Sequence, residues 1–208
     1  MNAPAVRSHL LQLRRDLEAA RSGRDLLDRK REAILRSLAE HVPRRDKHDR
    51  AATHALGLAR AALQEAQIEL GRTAVHAATL AQPPAAAIGV FESSIVGVKV
   101  PWIVAPLTRY RPHYGPAGGS TSLDRAGAAF AHALPLLLAL ASENTAVKRL
   151  RAALARTARR LNTLDQVVVP DISRQIQMVA AALEEDERDD AVRRKRWLAG
   201  RGNHDRTS

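Results

Sequence analysis

The residues best equipped for acid–base work stand together near the C-terminus, in Glu184-Glu185-Asp186-Glu187-Arg188-Asp189-Asp190. A carboxylate becomes a general acid at neutral pH when an apolar setting raises its pKa. Nothing apolar surrounds this run, and Glu184 with Arg188 is an ordinary i,i+4 helix pair, so the block reads as a solvated face. The histidines, at positions 9, 41, 48, 54, 76, 113, 132 and 204, never take a metal-binding spacing such as His-Glu-x-x-His. Glycines and a lysine occur between Gly89 and Lys99, without the four-residue gap and Gly-Lys-Ser/Thr of a phosphate loop. Gly115 to Ser122 has backbone N–H groups to offer an anion but no lysine, and reads as a connector. Arg109, Tyr110, Arg111, His113 and Tyr114 interleave cations with rings as single-strand nucleic-acid binders do, over one short loop. No autonomous enzyme is expected from these residues.

One cationic stretch stands apart. From Lys148 to Leu164 the chain carries Lys148, Arg149, Arg151, Arg156, Arg159 and Arg160 and no acid. Such a stretch is either a solubilising helix face or a band that meets acidic protein loops, and charge alone does not choose between them.

These groups need elements to carry them, and the composition favours thin helices. The 208 residues are 45% hydrophobic but only 3% aromatic, and much of the apolar count is alanine. A thick core of this size would bury more large rings. The formal net charge of +11 suits an anionic partner (nucleic acid, a membrane surface or an acidic protein surface) and equally an Arg-rich solvated helix surface. Cysteine is absent, which excludes disulfides, zinc–thiolate sites and a thiol nucleophile. The longest apolar run, Ala126 to Ala141, is interrupted by His132 and Pro135, so no membrane-spanning helix is expected. The N-terminus lacks a basic-then-apolar signal pattern.

Two helical arms emerge from the apolar spacing. Leu10, Leu13, Leu17, Ala20, Leu27, Ile34 and Leu38 step by threes and fours, with Arg24 and Arg31 at the two remaining seam positions. That heptad pattern predicts a coiled coil in which the two arginines fix register or face a partner outside the pair. Pro43 to Arg50 breaks the stripe, as a kinked solvated part of one helix or a short loop. Leu56, Ala59, Leu63, Ala66, Leu70 and Leu80 resume it. Residues 5–81 are therefore predicted as one interrupted helical arm of about 110 Å, ended by Pro83-Pro84. Residues 82–122 form a small head. Its β-branched run from Ile88 to Val104 predicts a β-hairpin, with Gly89, Gly97 and Glu92-Ser93-Ser94 as turn candidates. Thr121 with Asp124 gives a capping-box-like start to a second arm, 123–198, bent at Pro135 and Pro170. Gly200 and Gly202 end it, leaving 199–208 as a flexible tail.

The second arm has its own seam: Val147, Leu150, Leu154, Leu161, Leu164, Val168, Ile172, Ile176, Val179 and Leu183. From Leu161 the spacings 161 to 172, 172 to 183 and 168 to 179 are all eleven, a period that does not sustain a left-handed supercoil. The fold expected is mainly α: a long antiparallel two-helix coiled coil of the N- and C-terminal arms, with a small hairpin-containing head in the middle of the sequence. A basic coiled-coil nucleic-acid-binding protein and a homodimeric adaptor are both compatible with that reading.

The motifs within it resemble one family. Arg156-Thr-x-Arg159-Arg160-Leu-Asn162-x-Leu164-Asp165, then Val-Val-Val-Pro170, then Leu183-Glu-Glu-x-Glu187-Arg188, is similar to the C-terminal signature of the D subunits of V/A-type ATPases (ATP synthases). Leu10, Leu13, Leu17, Ala20, Gly23, Leu26, Leu27, Lys30, Arg31 and Leu35 resemble that family's N-terminal pattern. Gly97-Val98-x-Val100-Pro101 matches its central Gly-Val-x-x-Pro element. Asp28, Thr163, Pro43 and Pro135 depart from the pattern.

The resemblance implies a non-catalytic rotor shaft in the central stalk. Its arms would enter a ring of three catalytic and three nucleotide-binding subunits. Its head would lie near the small F subunit of the stalk and the funnel-shaped subunit that docks on the membrane rotor. The resemblance also implies one copy per complex, on the cytoplasmic side of the membrane, touching the membrane only through the complex and binding no nucleic acid. ATP, ADP and Mg would be bound by the catalytic ring and no cofactor by this chain. Arg24, Arg31, Arg156, Arg159, Arg160 and Asn162 are the residues expected to meet partners or carry torque.

Overall fold

The structure is a computed structural model that describes residues 3–80, 82, 88–104, 110–114 and 120–204. The Pro83-Pro84 stop, Arg109 and Gly115 to Gly119 lie outside the described residues. In chain order come helix α1 (Ala3–Leu70), helix α2 (Arg72–Leu80), strands β1 (Gly89–Ile95) and β2 (Val98–Val104), helix α3 (Thr121–Thr163), a π turn (Leu164–Val168) and helix α4 (Val169–His204).

Several expected boundaries move, each for a local reason. α1 begins at Ala3 rather than Ala5, since the N–H that Pro4 lacks is among the first four of a helix that have no partner anyway. Pro43 does not interrupt α1. Pro43 and Ala39, whose carbonyl loses its donor, are both exposed, so water can satisfy that group. The break falls instead at Gly71, whose φ is +80°. Its N–H donates to the Gln67 carbonyl at 3.0 Å, the single bond of an αL helix cap. α3 starts two residues before the expected Leu123 and is capped by Ser120, not Thr121. The Ser120 hydroxyl accepts from the Ser122 N–H at 3.2 Å, and its carbonyl accepts from the Asp124 N–H at 3.1 Å. α4 continues through Gly200 and Gly202 to His204 instead of stopping at Leu198.

The chain divides into two compact units, one of residues 1–31 with 156–208 and the other of residues 32–155. In the first, α1 runs antiparallel to α4 and the end of α3, pairing Arg7 with Glu187 and Arg24 with Asp165. Leu10, Leu13 and Leu161 are buried, as is Thr157. Leu17, Leu27, Leu164, Val168, Ile172, Ile176, Val179 and Leu183 are half-buried along the same stripes.

In the second unit α1 and α3 are again antiparallel, with His41 paired to Glu143 and Glu65 to Arg125. Its main core is Ile34, Leu38, Val147, Leu150 and Ala153. Complete burial of a side chain such as Ile34 or Leu150 contributes about 1.5–3 kcal/mol. Leu154, expected on the seam, is only half-buried, and Ala153 beside it takes the buried position. Small side chains there, like Ala52, Ala55, Ala59, Ala66, Ala133 and Ala146, leave room for close helix packing and explain how a chain so poor in rings forms a core. A second cluster joins Ala66, Val75, Ala78 and Leu123, so α2 and the start of α3 pack on the end of α1.

The expected change of winding near Leu161 has a local form. Between α3 and α4 the Val169 N–H bonds the Leu164 carbonyl, five residues back rather than four. Pro170 explains the need: in a tight α-helix its ring would strike the carbonyl four residues before it. The step from Leu161 to Ile172 thus contains the π turn and is not a uniform repeat.

β1 and β2 form an antiparallel hairpin from Gly89↔Val104 to Ile95↔Val98. Its loop is Val96-Gly97, so Glu92-Ser93-Ser94 lies inside β1 and is no turn. The Ile103 N–H points away from β1, to Ser142 Oγ. Pro101, two residues back, faces the same way, so its missing N–H removes no ladder bond.

Candidate interaction surfaces on the helices and hairpin

The residues expected to meet partners are placed unequally. In the first unit Arg24 Nε donates to Asp165 Oδ1 at 2.9 Å and its Nη1 to Asp25 Oδ1 at 3.1 Å. The hydrogen bond to Asp165, more than that to Asp25, raises the guanidinium's pKa above its ordinary value. Arg24 therefore holds α1 to the π turn. Arg31 is exposed and turns along its own helix to Asp28 at 2.9 Å. Arg156, Arg160 and Asn162 are exposed, and neither arginine has a carboxylate partner among the described residues. Arg159 is also exposed, but it is engaged within the chain. The acidic block is solvated, with Glu187 bound to Arg7 and Arg188 lying between Glu184 and Glu185.

In the second unit Lys148 and Arg151 are exposed without a carboxylate partner among the described residues, whereas Arg149 Nη1 donates to the Lys99 carbonyl at 2.8 Å. One cation of the basic stretch is thus committed to holding the hairpin. Of the head residues, Val100 is buried, Val98 and Pro101 are half-buried and Gly97 is exposed with φ 71°.

The Tyr110–Tyr114 segment is occupied with its own protein. Gln82 Nε2 donates to Tyr110 Oη at 3.3 Å, Tyr110 Oη to Tyr114 Oη at 3.4 Å, and Tyr114 Oη to Asp124 Oδ1. Burial first, then the hydrogen bonds to Asp124 and Tyr110, pushes the Tyr114 hydroxyl above its ordinary range. The Tyr110 ring lies so close to α3 that a Cβ on Gly127 would collide with it. These rings are therefore not a free stacking platform for bases.

Two features have no counterpart in the sequence pattern. The first is the tie between His41 Nδ1 and Glu143 Oε2 at 2.7 Å, with both side chains largely buried between α1 and α3. An acid and a histidine far apart in sequence give no periodic signal. The second is apolar exposure. Leu58, Ile68, Leu80, Val90, Phe91 and Trp102 are each more than half exposed, and Leu134 to Ala141 is half-exposed at every position of α3. Within Thr121–Trp197 one window is long and apolar enough to span a membrane by length and composition. That corrects the expectation of no such run: alanines and leucines outweigh the single His132 and Pro135. Among the described residues no group of three His, Asp or Glu side chains is arranged to hold a metal.

A family model described as the ATP synthase D subunit matches residues 9–199. The V-type ATP synthase D subunit of Anaeromyxobacter sp. is 35% identical, over 95% of this chain and 94% of its own length. That of Thermus thermophilus is 33% identical, over 92% of this chain and 85% of its own. That of Thermotoga neapolitana is 30% identical, over 94% and 97%. With the hairpin, α3 and nearly all of α1 and α4 inside the matched span, the chain belongs to the family of ATP synthase D subunits.

Proposed function

We propose that this chain is the non-catalytic central-stalk shaft of a V/A-type rotary ATPase or ATP synthase. It transmits torque between a ring of three catalytic and three nucleotide-binding subunits and the membrane rotor that moves protons or sodium ions. The observation that carries the reading is the family match across residues 9–199, which takes in the hairpin, α3 and nearly all of α1 and α4. The physical form supports it. Moving one charge through 100 mV already involves about 2.3 kcal/mol, and exposed ion pairs contribute at most about 1 kcal/mol each. Resistance to twist must therefore come from the Leu, Ile, Val and Ala seams, with pairs such as Arg24–Asp165 setting register.

The exposed cations Arg156 and Arg160 suit acidic loops of the ring. The exposed apolar side chains of the second unit suit the small F subunit of the stalk and the funnel-shaped subunit. The chain acts as one copy per complex on the cytoplasmic side, reaches the membrane only through those partners, and leaves ATP, ADP and Mg to the ring.

Affinity purification of the tagged full chain from its native cells, followed by mass spectrometry, tests this. Recovery of both ring subunits and a membrane-rotor adaptor is expected. Recovery only of itself, or of nucleic acid, would overturn the reading. With Arg159 and Arg160 both changed to Ala, coupled ion pumping is expected to fall in the assembled complex; unchanged pumping removes the torque role of that pair.

A further inference from the structure

Val96 is the one non-glycine residue with positive φ among the described residues, at 52°, and Gly97 follows at 71°. Together they are the loop between the paired residues Ile95 and Val98. Two positive φ values mark a type I′ turn, whose first position favours Asn, Asp or Gly. A β-branched side chain suits it badly, because its Cβ crowds the neighbouring carbonyl. Local preference and observed residue disagree, so something outside the turn holds it there.

Packing supplies the hold. Val96, with Ile95 and Val98, lies against the cluster of Ile34, Leu38, Val147, Leu150 and Ala153. The seat beneath is itself fixed, since His41 and Glu143 tie α1 to α3 at 2.7 Å. Two polar attachments join the hairpin to α3. Ile103 N–H donates to Ser142 Oγ at 3.0 Å, and Arg149 donates to the Lys99 carbonyl at 2.8 Å. At the far end from the turn, Phe91 and Trp102 face solvent.

We propose that the hairpin is a latch on the α1–α3 pair and that Val96 is its key. Docked, Val96 is held left-handed by packing, half-buried, against that cluster. Undocked, the turn relaxes and β2 leaves Ser142, while β1 and β2 stay paired to each other. Turn strain favours release and side-chain insertion opposes it, which gives the hairpin two positions instead of one.

Amide hydrogen exchange on the full chain separates the two motions. The Ile103 amide reports docking, whereas Val100 and Trp102, at the alternate positions that face β1, report the ladder. Val96→Asn suits the turn but removes the key. The expected result is that Ile103 exchanges about tenfold faster while Val100 and Trp102 change little. Val96→Gly, which adds no polar group to the cluster, should do the same. If relief of strain instead slows Ile103 or leaves it unchanged, Val96 is not a key. If Ile103, Val100 and Trp102 all accelerate together, the hairpin melts as it leaves and has no second docked-or-free position.

Discussion

At the scale of single residues, contacts decide what the sequence pattern could not. Gly127 sits inside α3, where glycine is a poor helix former, and the reason is that the Tyr110 ring occupies the space a methyl group would need. Gly127→Ala is expected to destabilise the protein by about 1–3 kcal/mol through overpacking. In a Tyr110→Ala background the same change should become neutral or stabilising, and urea titration of the four proteins measures that reversal. Tyr114 makes a pH prediction. Its hydroxyl is held protonated in the fold above the ordinary value of 10.0. Its contribution is therefore full below that value and is lost as pH rises beyond it, because the unfolded tyrosine ionises first. The urea midpoint should fall more steeply as pH rises above about 10 for the native chain than for Tyr114→Phe. Neither contact was legible in the sequence. Tyr110 and Tyr114 read as one end of a cation–ring alternation because nothing local shows that α3 returns to them.

At the scale of elements, the apolar stripes were legible and the interruptions were not. Leu10, Leu13, Ile34, Leu150 and Leu161 lie where a heptad places them because periodicity is a local property of a helix. Proline and glycine mislead, since their effect depends on which face they occupy. Pro43 is exposed and α1 absorbs it; Gly71 takes φ +80° and ends α1. Opposite outcomes are expected on substitution by alanine. Pro43→Ala should raise stability by about 1–3 kcal/mol by restoring a helix hydrogen bond. Gly71→Ala should lower it by about 1 kcal/mol, through left-handed strain alone, since nothing lies within 4 Å of the added carbon. Thermal unfolding by circular dichroism distinguishes the two signs. The hairpin was legible as strands and Gly97 was among its turn candidates, but the sequence did not single it out, because Val96-Gly97 lacks the Asn-Gly or Asp-Gly that usually announces a turn.

At the scale of the whole molecule, apolar exposure matters most, and both units carry it, with Leu26 and Met178 exposed in the first. Leu58, Ile68, Leu80, Val90, Phe91 and Trp102 all belong to the unit of residues 32–155, and each is solvent-facing in the isolated chain. Apolar exposure on this scale marks contact sites. The isolated chain is expected to bind the dye ANS and to lose that binding on co-purification with stalk partners; retention of the signal in the complex would place those partners elsewhere. The π turn carries a different consequence, one of descent. A helix forms such a turn when it must absorb one residue more than its two faces need. Relatives whose matching helix is α throughout are thus expected to be one residue shorter between their counterparts of Leu161 and Pro170. Val167, exposed within that turn, is the candidate for the extra residue, and the Arg24–Asp165 pair spans the same turn.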